Sequence, residues 1–273
     1  MSRLEIPPAC DLWAVGDVHG QPAALLRALV RAGLADASGA WRGPFLAGLV
    51  ILGDLVDRGP DSRGAVALVR SLQASARAAG ASVWVVGGNH EELVADAARG
   101  EDADGTEVWL ANGGSALCDE VGVRASPGSA WAGGAERIGR GLRAAAPDVV
   151  SLCADCADWA VWRDVALVHA GLPMVDDPVV ALDLGFGRWD SSIRSLPSLR
   201  HPRLRPLRDM GIRRAVVGHV PTPGRAAVLC GGAVLSLDGN SGPTVAGAPS
   251  AIVVARLPES GPFSEEDWIV EPV

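Results

Sequence analysis

The chain has 273 residues, 48% of them apolar, which is length and hydrophobic material enough for a single globular domain over residues 1–273. Its 24 basic residues are all Arg and stand against 32 acidic ones, a net charge of −8 that excludes general affinity for nucleic acid or for an anionic membrane surface. Without Lys there is no Schiff-base chemistry and no phosphate-binding lysine loop, so an anion clamp must be made of Arg, backbone N–H groups or metal.

The opening residues Met1 to Ala9 contain no apolar signal region, and no window approaches 18 uninterrupted apolar residues, so a cytoplasmic protein with no membrane partner is expected. Five scattered cysteines fit reduced thiols. Cys153 and Cys156 have redox or zinc spacing, but no second pair completes a four-ligand site, and they are read as structural.

The first predicted strand is Asp11–Val15, which runs into Gly16-Asp17-Val18-His19-Gly20. An Asp and a His one residue apart, at the carboxyl end of a strand, can turn two ligands toward one ion. A helix follows over residues 23–32, with Ala24, Leu25, Ala28 and Leu29 at helical spacing and Gly33 as its cap. The next apolar run, residues 48–52, ends in Gly53-Asp54-Leu55-Val56-Asp57-Arg58-Gly59, after which Ser62 is expected to cap a helix over residues 63–79. A third run, Ser82–Val86, ends in Gly87-Gly88-Asn89-His90-Glu91 and leads into another helix. Three times, polar groups able to bind a metal stand just beyond a buried strand.

Residues 100–160 read as loops and helical fragments, with Arg137, Arg140 and Arg143 on a solvated helix face. Strand signals return at residues 164–168, before His169-Ala170-Gly171, and at residues 214–218, before His219. Residues 226–229, 233–237 and 251–255 are expected to be short strands of a second sheet.

Four of the five histidines, His19, His90, His169 and His219, fall beside glycines directly after predicted strands, together with Asp17, Asp54 and Asn89. Two divalent ions about 3.5–4 Å apart require a bridging ligand. Asp54 suits that position, Asp17 and His19 would complete one ion, and Asn89, His169 and His219 the other. Donors of this kind suit Mn²⁺, Fe and Zn²⁺ alike and do not identify the metal; two divalent ions are expected, with Mn²⁺ first among them.

At this point the sequence resembles the calcineurin-like metallophosphoesterases, and within them the phosphoprotein phosphatase family in its bacterial serine/threonine form. The signatures GDxHG, GDxxDRG and GNHE stand intact at residues 16–20, 53–59 and 88–91, and the later His-Ala-Gly and Gly-His motifs match residues 169–171 and 218–219. The resemblance, over roughly residues 12–240, implies a four-layer α/β/β/α sandwich of two mixed sheets flanked by helices. It also implies a water activated between two ions that attacks phosphorus in line, with His90 as general acid, Asp57 as its orienting partner and Arg58 as a phosphate fork. The family has a second clamping Arg. Arg163, Arg188 and Arg194 are candidates, and Arg188 is preferred. The segment Trp109–Gly114 is similar to one in small bacterial members. Two departures are the lack of any Tyr and the ending Leu237-Asp238-Gly239-Asn240 in place of Asp-Thr-Gly. The expected function is phosphomonoester hydrolysis, foremost on phosphoserine or phosphothreonine proteins, with phosphotyrosine left open as a further substrate. A symmetrical dinucleoside polyphosphate hydrolase is the alternative, and a non-catalytic metal-dependent binding module the remote one.

Overall fold

The computed structural model describes residues 3–192, 199–265 and 268–273. In chain order the strands and helices of the first half are β1 (Arg3–Glu5), β2 (Asp11–Val15), α1 (Pro22–Arg31), β3 (Ala47–Ile51), α2 (Ser62–Ala78), β4 (Ser82–Val85), α3 (Asn89–Arg99) and α4 (Ala103–Trp109). A turn over Leu110–Gly114, kinked at Gly113 (φ 109°), joins α4 to α5 (Ser115–Glu120), and α6 (Gly134–Ala145) and α7 (Pro147–Asp155) follow. The remainder comprises β5 (Trp159–Trp162), β6 (Val165–Leu167), α8 (Pro178–Asp183), α9 (Arg205–Asp209), β7 (Arg214–Val217), β8 (Ala227–Leu229), β9 (Val234–Ser236), β10 (Ala251–Arg256) and β11 (Trp268–Pro272). No helix among the described residues is long and apolar enough to cross a membrane.

The strands form two mixed sheets, ordered β11-β10-β2-β3-β4 and β1-β5-β6-β7-β9-β8. Strands β2, β3 and β4 run parallel, as do β6, β7 and β9, and the antiparallel neighbours lie outside these triplets. Strand alternation builds the layers. From β2, Leu12 and Ala14 point into a core shared with Leu167 of β6, Val216 of β7 and Leu235 of β9, so this core lies between the sheets. Trp13 and Val15 of the same strand face the other way, onto Leu25 and Leu29 of α1 and Val66 and Val69 of α2. On the far side, Ala166, Val217 and Val234 pack against Leu182 of α8 and Leu207 of α9. The result is helices, sheet, sheet, helices. Strands buried on both faces read in sequence as unbroken apolar runs rather than alternating ones.

Several sequence expectations are met closely: α1 and α2 begin and end within one residue of their predicted bounds. The cap of α2 differs. Asp61, not Ser62, occupies that position, its carboxylate accepting from Gly64 N at 2.7 Å. Ser62 instead turns its hydroxyl to the Asp57 N–H at 3.0 Å. The strand over residues 251–255 also departs from expectation. It belongs to the first sheet, as β10, where it pairs antiparallel with β2, while β8 and β9 lie in the second. Residues 134–145 form α6 with Arg137, Arg140 and Arg143 exposed, as read. Cys153 and Cys156 are buried free thiols; Cys153 belongs to the core beneath α3 and α6, and burial pushes both thiols up in pKa.

The two sheets approach closely at Gly16, where a Cβ would lie 2.1 Å from the Leu237 carbonyl oxygen. That contact draws the carboxyl ends of β2 and β9 together and places the loops that follow the parallel strands along one common edge.

Candidate metal centre

Each loop along that edge contributes. Asp17 and His19 follow β2, Asp54, Asp57 and Arg58 follow β3, and Asn89 and His90 open α3 after β4, while His169 follows β6 and His219 follows β7. Five of these residues hold backbone conformations that L side chains seldom adopt: His19 (φ 46°), Asp54 (48°), Asp57 (67°), Arg58 (63°) and His219 (66°). Such positions persist where the surroundings over-determine them. Here the N–H of every one is bonded: His19 to Asp54 O, Asp54 to Glu91 Oε2, Asp57 to Ser62 Oγ, Arg58 to Gly113 O and His219 to Asp17 Oδ1.

The side chains converge on Asp54, which is 1% exposed. Its Oδ1 stands 3.3 Å from His169 Nε2, and its Oδ2 stands 3.5 Å from His19 Nε2 and 3.9 Å from His90 Nε2. Asn89 Oδ1 lies 3.1 Å from His169 Nε2 and 3.0 Å from His219 Nδ1. Asp17 Oδ2 is 3.9 Å from His19 Nε2. Two groups of donors able to hold an ion therefore share Asp54, one with His19 and His90 and the other with His169 and His219. Donor atoms about 2.1 Å from an octahedral or tetrahedral ion lie roughly 3.0–3.4 Å from one another. The spacing found here falls around that range, and carboxylate, amide oxygen and imidazole are donors that divalent cations accept.

Backbone carbonyls set the imidazole tautomers. His19 Nδ1–H donates to Val56 O at 3.1 Å and His169 Nδ1–H to Leu52 O at 2.6 Å, so Nε2 is the nitrogen each turns inward. Burial alone would raise the pKa of Asp54, but the neighbouring charges of His169 and His90 outweigh it and hold the carboxyl well below its usual value. Burial, and next the charge of Asp238, pushes Asp17 well above its own. Burial works against a charged His169, yet Asp54 prevails and lifts it to about 10; burial followed by the His169 charge takes His219 down to about 4.

His90 differs from the other three in what holds it. Its Nδ1–H donates to Asp57 Oδ2 at 2.8 Å, and its Nε2 is buried without a partner, aimed at the Asp54 side of the cluster. Burial would depress this imidazole, but the charge of Asp54 and the bond to Asp57 raise its pKa on balance. Arg58 reaches the cluster too, with Nη1 2.9 Å from His19 Nε2, and its Nε donates to the Asn112 carbonyl at 3.3 Å.

The three candidates for a second clamp are placed differently. Arg188 directs its guanidinium to Asp158 at 2.8 Å and lies over Gly87, within bonding distance of none of the cluster's donor atoms. Arg163 pairs with Glu259 at 3.1 Å and lies over the Trp162 ring. Arg194 falls outside the described residues. Two residues to which the sequence analysis gave no role prove central. Glu91, fully buried, accepts the N–H groups of Asp54, Leu55 and Gly88, all at 2.8 Å, and so ties the second and third loops together. Trp109 donates its indole N–H to Asp57 Oδ2 at 2.8 Å. The GNHE signature and the Trp109–Gly114 segment marked both positions, but their partners stand 37 and 52 residues away along the chain.

Two facing mixed sheets with flanking helices, and a buried carboxylate and imidazole cluster on their carboxyl edge, define a metallophosphoesterase. Residues 11–235 match the calcineurin-like phosphoesterase family, and the chain belongs to it. It is 35% identical over 112 residues to serine/threonine-protein phosphatase 1 of Salmonella typhimurium, covering 41% of this chain and 43% of that protein. It is likewise 35% identical over 90 residues to Shewanella-like protein phosphatase 2 of Arabidopsis thaliana, covering 33% of this chain and 22% of the relative. The matched stretches thus span less than half the length of either relative. Among solved structures, a cold-active protein-tyrosine phosphatase from a psychrophilic Shewanella superposes with a TM-score of 0.66 at 16% identity, over 94% of this chain and 77% of its own. A protein described as a diadenosine tetraphosphatase by inference superposes with 0.55 at 18% identity, over 99% and 97%. Identities this low show the shared fold alone.

Proposed function

We propose that the protein is a metal-dependent phosphomonoesterase acting on phosphoserine and phosphothreonine in proteins, a single domain over residues 1–273 working in the cytoplasm with two divalent ions, Mn²⁺ foremost. The observation that carries this reading is the position of Asp54, whose two carboxylate oxygens face different histidines. Asp17, His19 and Asp54 would hold one ion, and Asp54, Asn89, His169 and His219 the other. When bound, the ions supply an activated water and neutralise charge on the phosphoryl oxygens.

The protein's own groups do the rest. Arg58 presents a guanidinium beside the cluster, where it pairs with phosphoryl oxygens and orients the phosphorus. His90, kept charged by Asp54 and Asp57, delivers the Nε2 proton to the leaving alkoxide. Its unpartnered Nε2 and occupied Nδ1 suit an acid better than a ligand. Arg188 remains the candidate for a second clamp, a role that requires it to exchange Asp158 for a phosphoryl oxygen.

The substrate assignment is supported by the 35% identity, over 112 residues, to a protein named serine/threonine-protein phosphatase 1. It is tested by rates on a phosphoserine peptide, a phosphotyrosine peptide and diadenosine tetraphosphate, each with Mn²⁺, Fe²⁺ or Zn²⁺ added. Fastest turnover of the phosphoserine peptide supports the proposal, and preference for the dinucleotide overturns the substrate class while leaving the centre intact.

A further inference from the structure

We propose that Trp109 is a positioning residue for the reaction, fixing the carboxylate of Asp57 and through it the imidazole of His90. The inference rests on the reading of His90 as the general acid.

Asp57 is fully buried, and its Oδ2 accepts two hydrogen bonds of 2.8 Å, one from His90 Nδ1 and one from Trp109 Nε1, while its Oδ1 has no partner. The terminal torsion of an aspartate is broad. A carboxylate held by His90 alone would be free to swing with the ring it is meant to orient. The indole N–H supplies an anchor independent of the imidazole and aims the lone pairs of Oδ2. The His90 side chain makes no other hydrogen bond, because Nε2 is unpartnered, and its ring otherwise meets that of His19 edge to face, with centroids 4.9 Å apart.

The anchor is itself rigidly held. Trp109 is the last residue of α4, wholly buried, and Gly114 of the following turn lies so near the indole that a Cβ there would come within 2.2 Å of Cε2. That turn then grips the same loop as Trp109. The Gly113 carbonyl accepts Arg58 N at 3.2 Å, and Glu120 at the end of α5 accepts Ser62 N and Arg63 N at 2.8 and 3.0 Å. The segment from α4 to α5 therefore clasps residues 57–63 from outside the candidate ligand set. A generic need to satisfy a buried indole does not explain the bond, since the Nε1 atoms of Trp41 and Trp162 are buried without partners in the same protein.

The test uses the full chain loaded with Mn²⁺ and compares kcat on a phosphoserine peptide, whose alkoxide needs a proton, with kcat on p-nitrophenyl phosphate, whose phenolate hardly does. Melting curves and metal content are recorded for every variant. General acids contribute about 10²–10⁴-fold, so Trp109→Phe should slow the peptide by roughly 10–100-fold and the nitrophenyl ester by less than about threefold. Trp109→Phe combined with Asp57→Asn should be no worse in that ratio than Asp57→Asn alone, because both act through one carboxylate. Equal loss on both substrates, or a double variant whose ratio is the product of the singles, reduces Trp109 to packing and overturns the inference. His90→Asn is measured beside them. If it shows no difference between substrates, the general-acid reading falls and takes this inference with it; if it does and Trp109→Phe does not, only the inference falls. Should Trp109→Phe fail to fold, 3-benzothienylalanine at position 109, which keeps the indole shape and replaces N–H by sulfur, carries the same expectation and the same refutation.

Discussion

Glu91→Gln perturbs the seam between the second and third loops with almost no change of shape. In the native protein Oε2 accepts from Asp54 N and Gly88 N, and Oε1 accepts from Leu55 N, each at 2.8 Å and all buried. An amide has one oxygen. With that oxygen in the Oε2 position the NH₂ group meets the Leu55 N–H, donor against donor, and with it in the Oε1 position two N–H groups are orphaned. An unsatisfied buried donor costs about 1–3 kcal/mol, and loss of charge assistance weakens each surviving bond by about 1 kcal/mol, so the total is about 3–5 kcal/mol. A chain of this size loses about 2–4 °C of Tm per kcal/mol, a fall of roughly 6–20 °C. The assay is thermal unfolding followed by far-UV circular dichroism in excess chelator, which isolates the scaffold from ion binding. Because Asp54 hangs from the same carboxylate, Mn²⁺ affinity should fall as well. A Glu91→Gln protein that melts within about 2 °C of the wild type would show that the seam is held elsewhere.

Asp54→Asn should lower occupancy by both ions, since a neutral amide bridges poorly, whereas His219→Ala should deplete mainly the ion assigned to Asn89 and His169; metal analysis with two ions at wild-type affinity in Asp54→Asn refutes the bridge. Arg58→Ala should leave metal content intact while slowing turnover and raising the inhibition constant for inorganic phosphate, and loss of the ions along with activity would mean that the contact of Arg58 with His19 is structural. Gly16→Ala forces a Cβ against the Leu237 carbonyl where the sheets meet, so expression as insoluble protein or a loss of about 1–3 kcal/mol in denaturant unfolding is expected, and wild-type stability would refute the close approach.

Much of this site was legible in one dimension because of where parallel strands sit. Strands β2 and β3 are buried on both faces and the edge strand β4 on one with the other half-buried, so each reads as a largely apolar run, and the polar pair that breaks each run marks the point where the chain leaves the sheet at its carboxyl end. Asp17, His19, Asp54, Asn89, His169 and His219 follow from that local grammar. The strand β10 has the same apolar character, and nothing local says which sheet it joins. Its place beside β2 is decided by pairing between residues some 240 positions apart, from Val15 with Val254 to Trp13 with Arg256. Short exposed β1 and the Trp-rich β5 carried no usable period; β1 is defined by its parallel pairing with β5, and β5 by its place between β1 and β6.

Residue type and spacing by themselves marked the candidate ligands, the alternation of strand and helix and the family, because these are properties of contiguous segments and of chemistry that few side chains can perform. Only the tertiary structure decided which atoms meet. That Asp54 turns one oxygen to each histidine pair, that Glu91 sews two loops together, that Trp109 stands behind Asp57, and that Arg188 answers to Asp158 are consequences of loops brought to one sheet edge. There the partner of each buried polar group is chosen by reach and burial, and chain distance has no part in it.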